Sequence, residues 1–139
     1  MKYVVASILI ALAAFVAIPS LHTAMLRSEQ KRTMADMRTI ATAWEARAEQ
    51  RNTYLVGRPG KVSSEELRRA LEPKYVKRMP RTDGWGNPFQ LSSTDAEYTI
   101  RSIGSDHRAD AKIIPGPNTD FARDIVYSNG SFVSYPEGI

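Results

Sequence analysis

The pattern of apolar and polar positions divides this chain into three stretches. From Tyr3 to Ile18 the residues read YVVASILIALAAFVAI, with Ser7 the one polar interruption, and no charge stands between Lys2 and Arg27. As helix, the sixteen-residue run spans roughly 24 Å and the twenty-four uncharged residues roughly 36 Å, against a hydrocarbon core of about 30 Å. Pro19 stands where the strict run stops, a place expected to kink or end a helix. Three readings fit: a cleaved signal peptide with a processing site near Thr23-Ala24, a buried core helix, or a retained membrane anchor. The anchor is favoured. A charged helical pattern follows directly, with no loop, and the rest of the chain is too small to cover so long an apolar surface.

From Ser20 to about Arg51 there is no Gly or Pro. Leu26, Met34, Met37, Ala41, Trp44 and Ala48 recur near a 3.6-residue period, which predicts an amphipathic continuation of the same helix. Its length is then about fifty residues, roughly 75 Å. The stripe is Ala-rich without a leucine heptad, so a two-stranded coiled coil is a poor fit. Met25, Met34 and Met37 read as filling, and Trp44 as the main anchor between helix and head.

Beyond residue 53 the pattern is that of a small head. NTYLVGRPGKV (52–62) reads as a loop. Ser63 followed by Glu66 is a capping box that starts a short helix, stopped near Pro73. A second loop holds Pro80, Gly84, Gly86 and Pro88, with Trp85 expected to plug the head. Phe89–Leu91, Glu97–Ser102, Asp124–Ser128 and Ser131–Tyr135 read as strands. The last two flank Asn129-Gly130, the strongest hairpin signal in the chain. The expected fold is α+β: a long N-terminal helix packed on a small antiparallel sheet, with Trp44, Trp85, Tyr98 and Ile100 in the core. The boundaries are 1–26 for the apolar segment, 27–53 for its amphipathic continuation and 54–139 for the head.

Composition narrows the chemistry. Cys is absent, which excludes disulfides and thiolate sites, and His22 and His107 are the only imidazoles. The net charge of +4 is mildly basic. Acids interleave with the helix arginines and no aromatic platform is evident, so nucleic acid is not an expected partner. The one possible chemical cluster is the loop after Gly104, with Asp106, Asp110, Asp120 and Asp124, which could surround a hard cation such as Ca²⁺. Its spacing is not that of an EF-hand, and a solvated loop is the alternative. Asp106 with Asp124 is also the only conceivable acid–base pair, and His107 reads as a surface residue.

In chain order, AAFVAIPSL (13–21), KRTMADMRTIATAWEARAEQRNTY (31–54), YVKRMPRTDGWGNPF (75–89), YTIRSIGSDH (98–107) and DIVYSNGSFVSYPEG (124–138) resemble the type IV pilin-like superfamily. The similarity is greatest to the major pseudopilin of type II secretion systems. The family's Gly followed by Phe-Thr-Leu-Ile-Glu is absent from MKYVVASILIAL, where Lys2 stands near the position of the glutamate. The resemblance implies a non-enzymatic subunit of the bacterial inner membrane, single-pass, with its head in the periplasm. It implies self-association into a helical filament, with minor pilin-like subunits, an inner-membrane assembly platform and a prepilin peptidase as partners. Ile8, Ile10, Leu12, Phe15, Ile18, Pro19 and Leu21 would form the assembly helix. It further implies calcium at Asp106 and Asp124, with Asp110 and Asp120 added from spacing alone.

One signal opposes that topology. Arg27, Lys31, Arg32 and Arg38 follow the apolar run, so the positive-inside rule would place the C-terminal part in the cytoplasm. The expected function is support of protein export. A pilus subunit for adhesion or motility is the alternative, and a membrane-tethered periplasmic binding module a more remote one.

Overall fold

In the computed structural model, residues 2–138 are described. One helix, α1, runs from Lys2 to Arg51 without a break. Pro19 lies inside it, and the helix continues through this position. The missing N–H removes one ladder bond, while the Pro19 carbonyl accepts a bond from Thr23 Oγ1 (3.1 Å). Asn52, in the left-handed region at φ 56°, turns the chain out of the helix.

The head wraps the rear half of α1. A short helix, α2 (Ser64–Leu71), follows strand β1 (Gly60–Val62). Its capping box forms as the sequence predicts: Ser63 Oγ accepts from Glu66 N (3.1 Å), and Glu66 Oε2 from Ser63 N (3.0 Å). Leu67 and Leu71, one turn apart, are fully buried. The helix stops at Glu72, before Pro73.

Five further strands complete one sheet: β2 (Gln90–Ser93), β3 (Tyr98–Ser102), β4 (Gly116–Asn118), β5 (Ile125–Ser128) and β6 (Ser131–Pro136). The spatial order is β1-β2-β3-β5-β6-β4. Every pairing is antiparallel except β4 with β6, which is parallel, so the sheet is mixed and not purely antiparallel. β1 and β4 fall in stretches read as loops. Each is three residues long and lacks the alternation that marks a strand, and each exists because an edge was open to receive it. The β5–β6 hairpin turns at Asn129 (φ 48°) and Gly130 (φ 93°), both in the conformation that an Asn-Gly turn supplies cheaply.

The core lies between the sheet and α1. Met34, Met37, Ile40, Ala41 and Trp44 present one helix face to Leu91, Tyr98, Ile100 and Ile125. Trp44 is fully buried; its ring lies 5.0 Å from that of Tyr98, and its Nε1 donates to the Tyr54 carbonyl (2.9 Å). Arg38 adds a cation–π contact, its guanidinium 5.0 Å from the centre of the Phe132 ring. Trp85 departs from expectation. It packs half-buried at the edge of this cluster, while its neighbour Gly84 makes the close approach to α1.

Candidate functional site

Two features stand apart from ordinary packing: the front half of α1 and the loop between β3 and β5. The helix comes first. Every residue from Tyr3 to Leu21 is exposed, and Gln30 is the first to be buried. Ile8, Ile10, Leu12, Phe15, Ile18 and Leu21 leave more than half of their surface open, Phe15 as much as 80%. At about 100° per residue these six cover roughly 200° of the circumference, Val5, Leu9 and Val16 extend it, and Ala6, Ala13 and Ala17 line the rest, so the helix is apolar on every side. A helix apolar all round seeks a bilayer or a ring of neighbouring helices, because a single docking face would leave the opposite side wet. The segment has a mean hydropathy of 2.6 over its most apolar eighteen residues, none of which the head covers. Long and apolar enough to cross a membrane, this helix carries a separate folded head, an architecture consistent with a single-pass anchor and with pilin-like subunits in general.

Beside the apolar core, the Asp83–Asn87 turn adds a close backbone contact between head and helix. Gly84 sits so close to α1 that an added Cβ would meet the Glu29 carbonyl oxygen at 2.5 Å. Its N–H donates to Thr33 Oγ1 (2.8 Å), which itself donates to the Glu29 carbonyl (2.7 Å). Asp83 is buried, and four donors satisfy it: Trp85 N, Asn87 N, Asn87 Nδ2 and Ser102 Oγ, at 2.7–3.0 Å. Asn87 Nδ2 also reaches the Gly104 carbonyl (3.0 Å), tying this turn to the start of the long loop. His107 lies at that corner, exposed, with its ring Nδ1 against Asn87 Oδ1.

In the loop itself the four aspartates do not converge. Asp106 is exposed, its carboxylate accepting from Arg108 N (3.0 Å). Asp120 is exposed and accepts from Ala122 N (2.9 Å). Asp124 is fully buried and pairs with Arg101. Asp110 is what meets it: Asp110 N donates to Asp124 Oδ2 (3.1 Å), and Asp124 N donates to Asp110 Oδ2 (2.9 Å). Among the described residues no group of three or more His, Asp or Glu gathers as metal ligands would. The calcium expected at Asp106 and Asp124 therefore does not fit. One of the two acids serves a local turn, and the other is already held by a guanidinium and two backbone-linked bonds. The same separation removes Asp106 and Asp124 as an acid–base pair, since a fully buried carboxylate and an exposed one share no cleft.

Burial pushes the Asp124 carboxyl above the usual range, against the opposing pull of Arg101 and of the Asp110 N–H. Burial likewise raises the Tyr98 hydroxyl, and the Glu45 carboxylate that accepts its hydrogen bond adds to the rise. Sequence reasoning missed Arg101. Its only signal was a charged residue inside the alternating strand EYTIRS, pointing away from the core toward whatever covers the sheet. Comparison with family models, with curated proteins and with solved structures finds no match to this chain.

Proposed function

We propose that this chain is a non-enzymatic structural subunit of a pilin-like filament, most similar in role to the subunit of a type II secretion pseudopilus. Before assembly, α1 holds it in the bacterial inner membrane with the head in the periplasm. In the filament, the front half of α1 leaves the bilayer and packs against the same segment of neighbouring copies, and the head forms the outer surface. Minor pilin-like subunits, an assembly platform and a prepilin peptidase are the partners this reading requires.

The observation that carries it is the single helix with two fates, apolar on all sides in front and docked to the head behind. Among the described residues, twelve large apolar side chains from Tyr3 to Met25 are exposed. At about 1.5–3 kcal/mol for each side chain fully buried, their transfer from water is worth on the order of 20–30 kcal/mol. A bilayer or a bundle of identical helices recovers this stabilisation equally, so a subunit passes between them with a small change in free energy. Pro19, with its missing ladder bond, is where α1 loosens in that passage.

The test is electron microscopy of the full-length protein expressed with its own assembly genes. Thin filaments are expected from the natural chain and none from Ile10→Asp or Leu12→Asp, with the head of both variants folded. Normal filament yield from either variant sinks the proposal. Dispersed monomers of the natural chain, beside control subunits that assemble, point instead to a tethered periplasmic module. Long filaments that retract identify a pilus subunit.

A further inference from the structure

The segment from Ile103 to Arg123, a long loop interrupted by the short edge strand β4, separates two neighbouring strands, β3 and β5, and something must hold so long an excursion against the sheet. β4 pairs with β6 at the sheet edge and Ser105 N donates to the Phe121 carbonyl (3.0 Å), while the contacts that tie Asp110 to the foot of β5 meet at one side chain. Arg101, on β3, donates through Nε to Asp124 Oδ2 and through a terminal nitrogen to the Asp110 carbonyl (2.7 Å). Asp110 and Asp124 also exchange the two backbone-to-carboxylate bonds already described. The guanidinium thus gathers a carboxylate from the edge of β5 and a main-chain carbonyl from the loop. Those are the two kinds of oxygen that a calcium ion collects in closing a loop.

We propose that Arg101 is a built-in counterion that takes the place of a bound metal, so that this head closes its long loop without calcium. Three observations carry the inference. Asp124 is fully buried, and its charge is met by a guanidinium whose side chain is 23% exposed. Asp124 Oδ2 accepts from Arg101 and from Asp110 N, leaving it little room for a cation. Asp124 Oδ1 is buried with no hydrogen-bond partner, yet a divalent ion drawn to it would approach the fixed positive charge of Arg101. The inference does not depend on the filament reading, since it concerns only how the head folds.

It also predicts what removing the counterion exposes. Without Arg101, two carboxylates and the Asp110 carbonyl face one another with no positive charge, an arrangement that a hard divalent ion satisfies. The experiment is thermal melting of the full-length chain in detergent micelles, followed by near-UV circular dichroism, in EGTA or in about 1 mM calcium chloride. The natural chain is expected to melt at the same temperature in both. Arg101→Ala is expected to melt at least about 10 °C lower in EGTA, because it strands a buried carboxylate. Calcium, and not sodium at equal ionic strength, restores part of that loss. Arg101→Lys keeps the charge but loses the two-pronged geometry, so it melts between the two and does not respond to calcium.

A natural chain destabilised by EGTA overturns the proposal. So does an Arg101→Ala variant that melts with the natural chain, or one that stays low in calcium. Should Arg101→Ala yield no folded head, Arg101→Lys decides: a lowered melt unmoved by calcium supports the built-in counterion, and one raised by calcium refutes it.

Discussion

The front and rear halves of α1 share one backbone ladder and face opposite fates. From Tyr3 to Leu21 no residue is covered, whereas from Gln30 to Ala48 one face is sealed against the sheet. Apolar content does not explain the contrast, because the front half is the more apolar of the two. Angular distribution does. The rear half confines its apolar residues to a stripe that one sheet can cover, and the front half spreads them around the axis where no single sheet could. The helix is thus one continuous element whose rear half is docked to its own head and whose front half is left apolar and uncovered.

Reciprocal substitutions give the sharpest test of that division. Ile10→Asp should abolish filaments while leaving the melting temperature of the head unchanged. Trp44→Ala should destabilise the head by about 3–5 kcal/mol, since it empties the centre of the core. Melting followed by near-UV circular dichroism, on both variants in micelles, checks the pair. A head that melts early in Ile10→Asp breaks the comparison, because the two halves would then be coupled.

A smaller effect is expected at the join. Gly84→Ala places a methyl group against the Glu29 backbone, and the turn must lift away from α1. The cost should be about 1–3 kcal/mol, as for other overpacked contacts. Hydrogen exchange is expected to accelerate at Gly84 and Trp85 and to stay unchanged in the β5–β6 hairpin. Uniform acceleration across the head would mean that the join is not a local feature.

Acid should produce the smallest change. Hydrogen bonds from Arg68 first, then the charges of Arg68 and Arg69, hold the Glu65 carboxyl at about 2, below its ordinary 4.5. A carboxyl depressed on folding releases its proton more readily in the native state. Its stabilisation is therefore present above about 4.5 and is lost as pH falls toward about 2. Asp36 and Asp124 run the other way: burial raises both, so their contribution is lost as pH rises through their raised values. Glu65→Gln should flatten the acid limb of a melting-against-pH profile only slightly, and added salt should shrink the difference, because the pair is at the surface. A steep change would show that α2 depends on this pair more than on burial of Leu67 and Leu71.

Much of the architecture was legible because its signals are local. The capping box at Ser63 and Glu66, the Asn129-Gly130 turn and the alternation around Tyr98 and Ile100 each need only a few neighbouring residues to express their preference. The strands β1 and β4 were not legible, because three residues without alternation become a strand only when a sheet edge is there to pair with them. The candidate calcium loop shows the same limit. The family resemblance paired Asp106 with Asp124, and spacing added Asp110 and Asp120; the fold joined Asp110 to Asp124 and inserted Arg101 from a strand more than twenty residues upstream.

The sequence by itself determined the division of α1, since periodicity and charge are properties of a linear string read against helical geometry. It likewise determined the class of the head and its main hairpin. Only the tertiary structure decided that Gly84 fits against the helix, on a turn braced by Asp83, while Trp85 stays at the edge of the core. It also decided that the long loop closes on a guanidinium. Both outcomes depend on which residues meet across long stretches of chain, where the loss of solvation and the chance of an opposite charge are set by neighbours that no local pattern names.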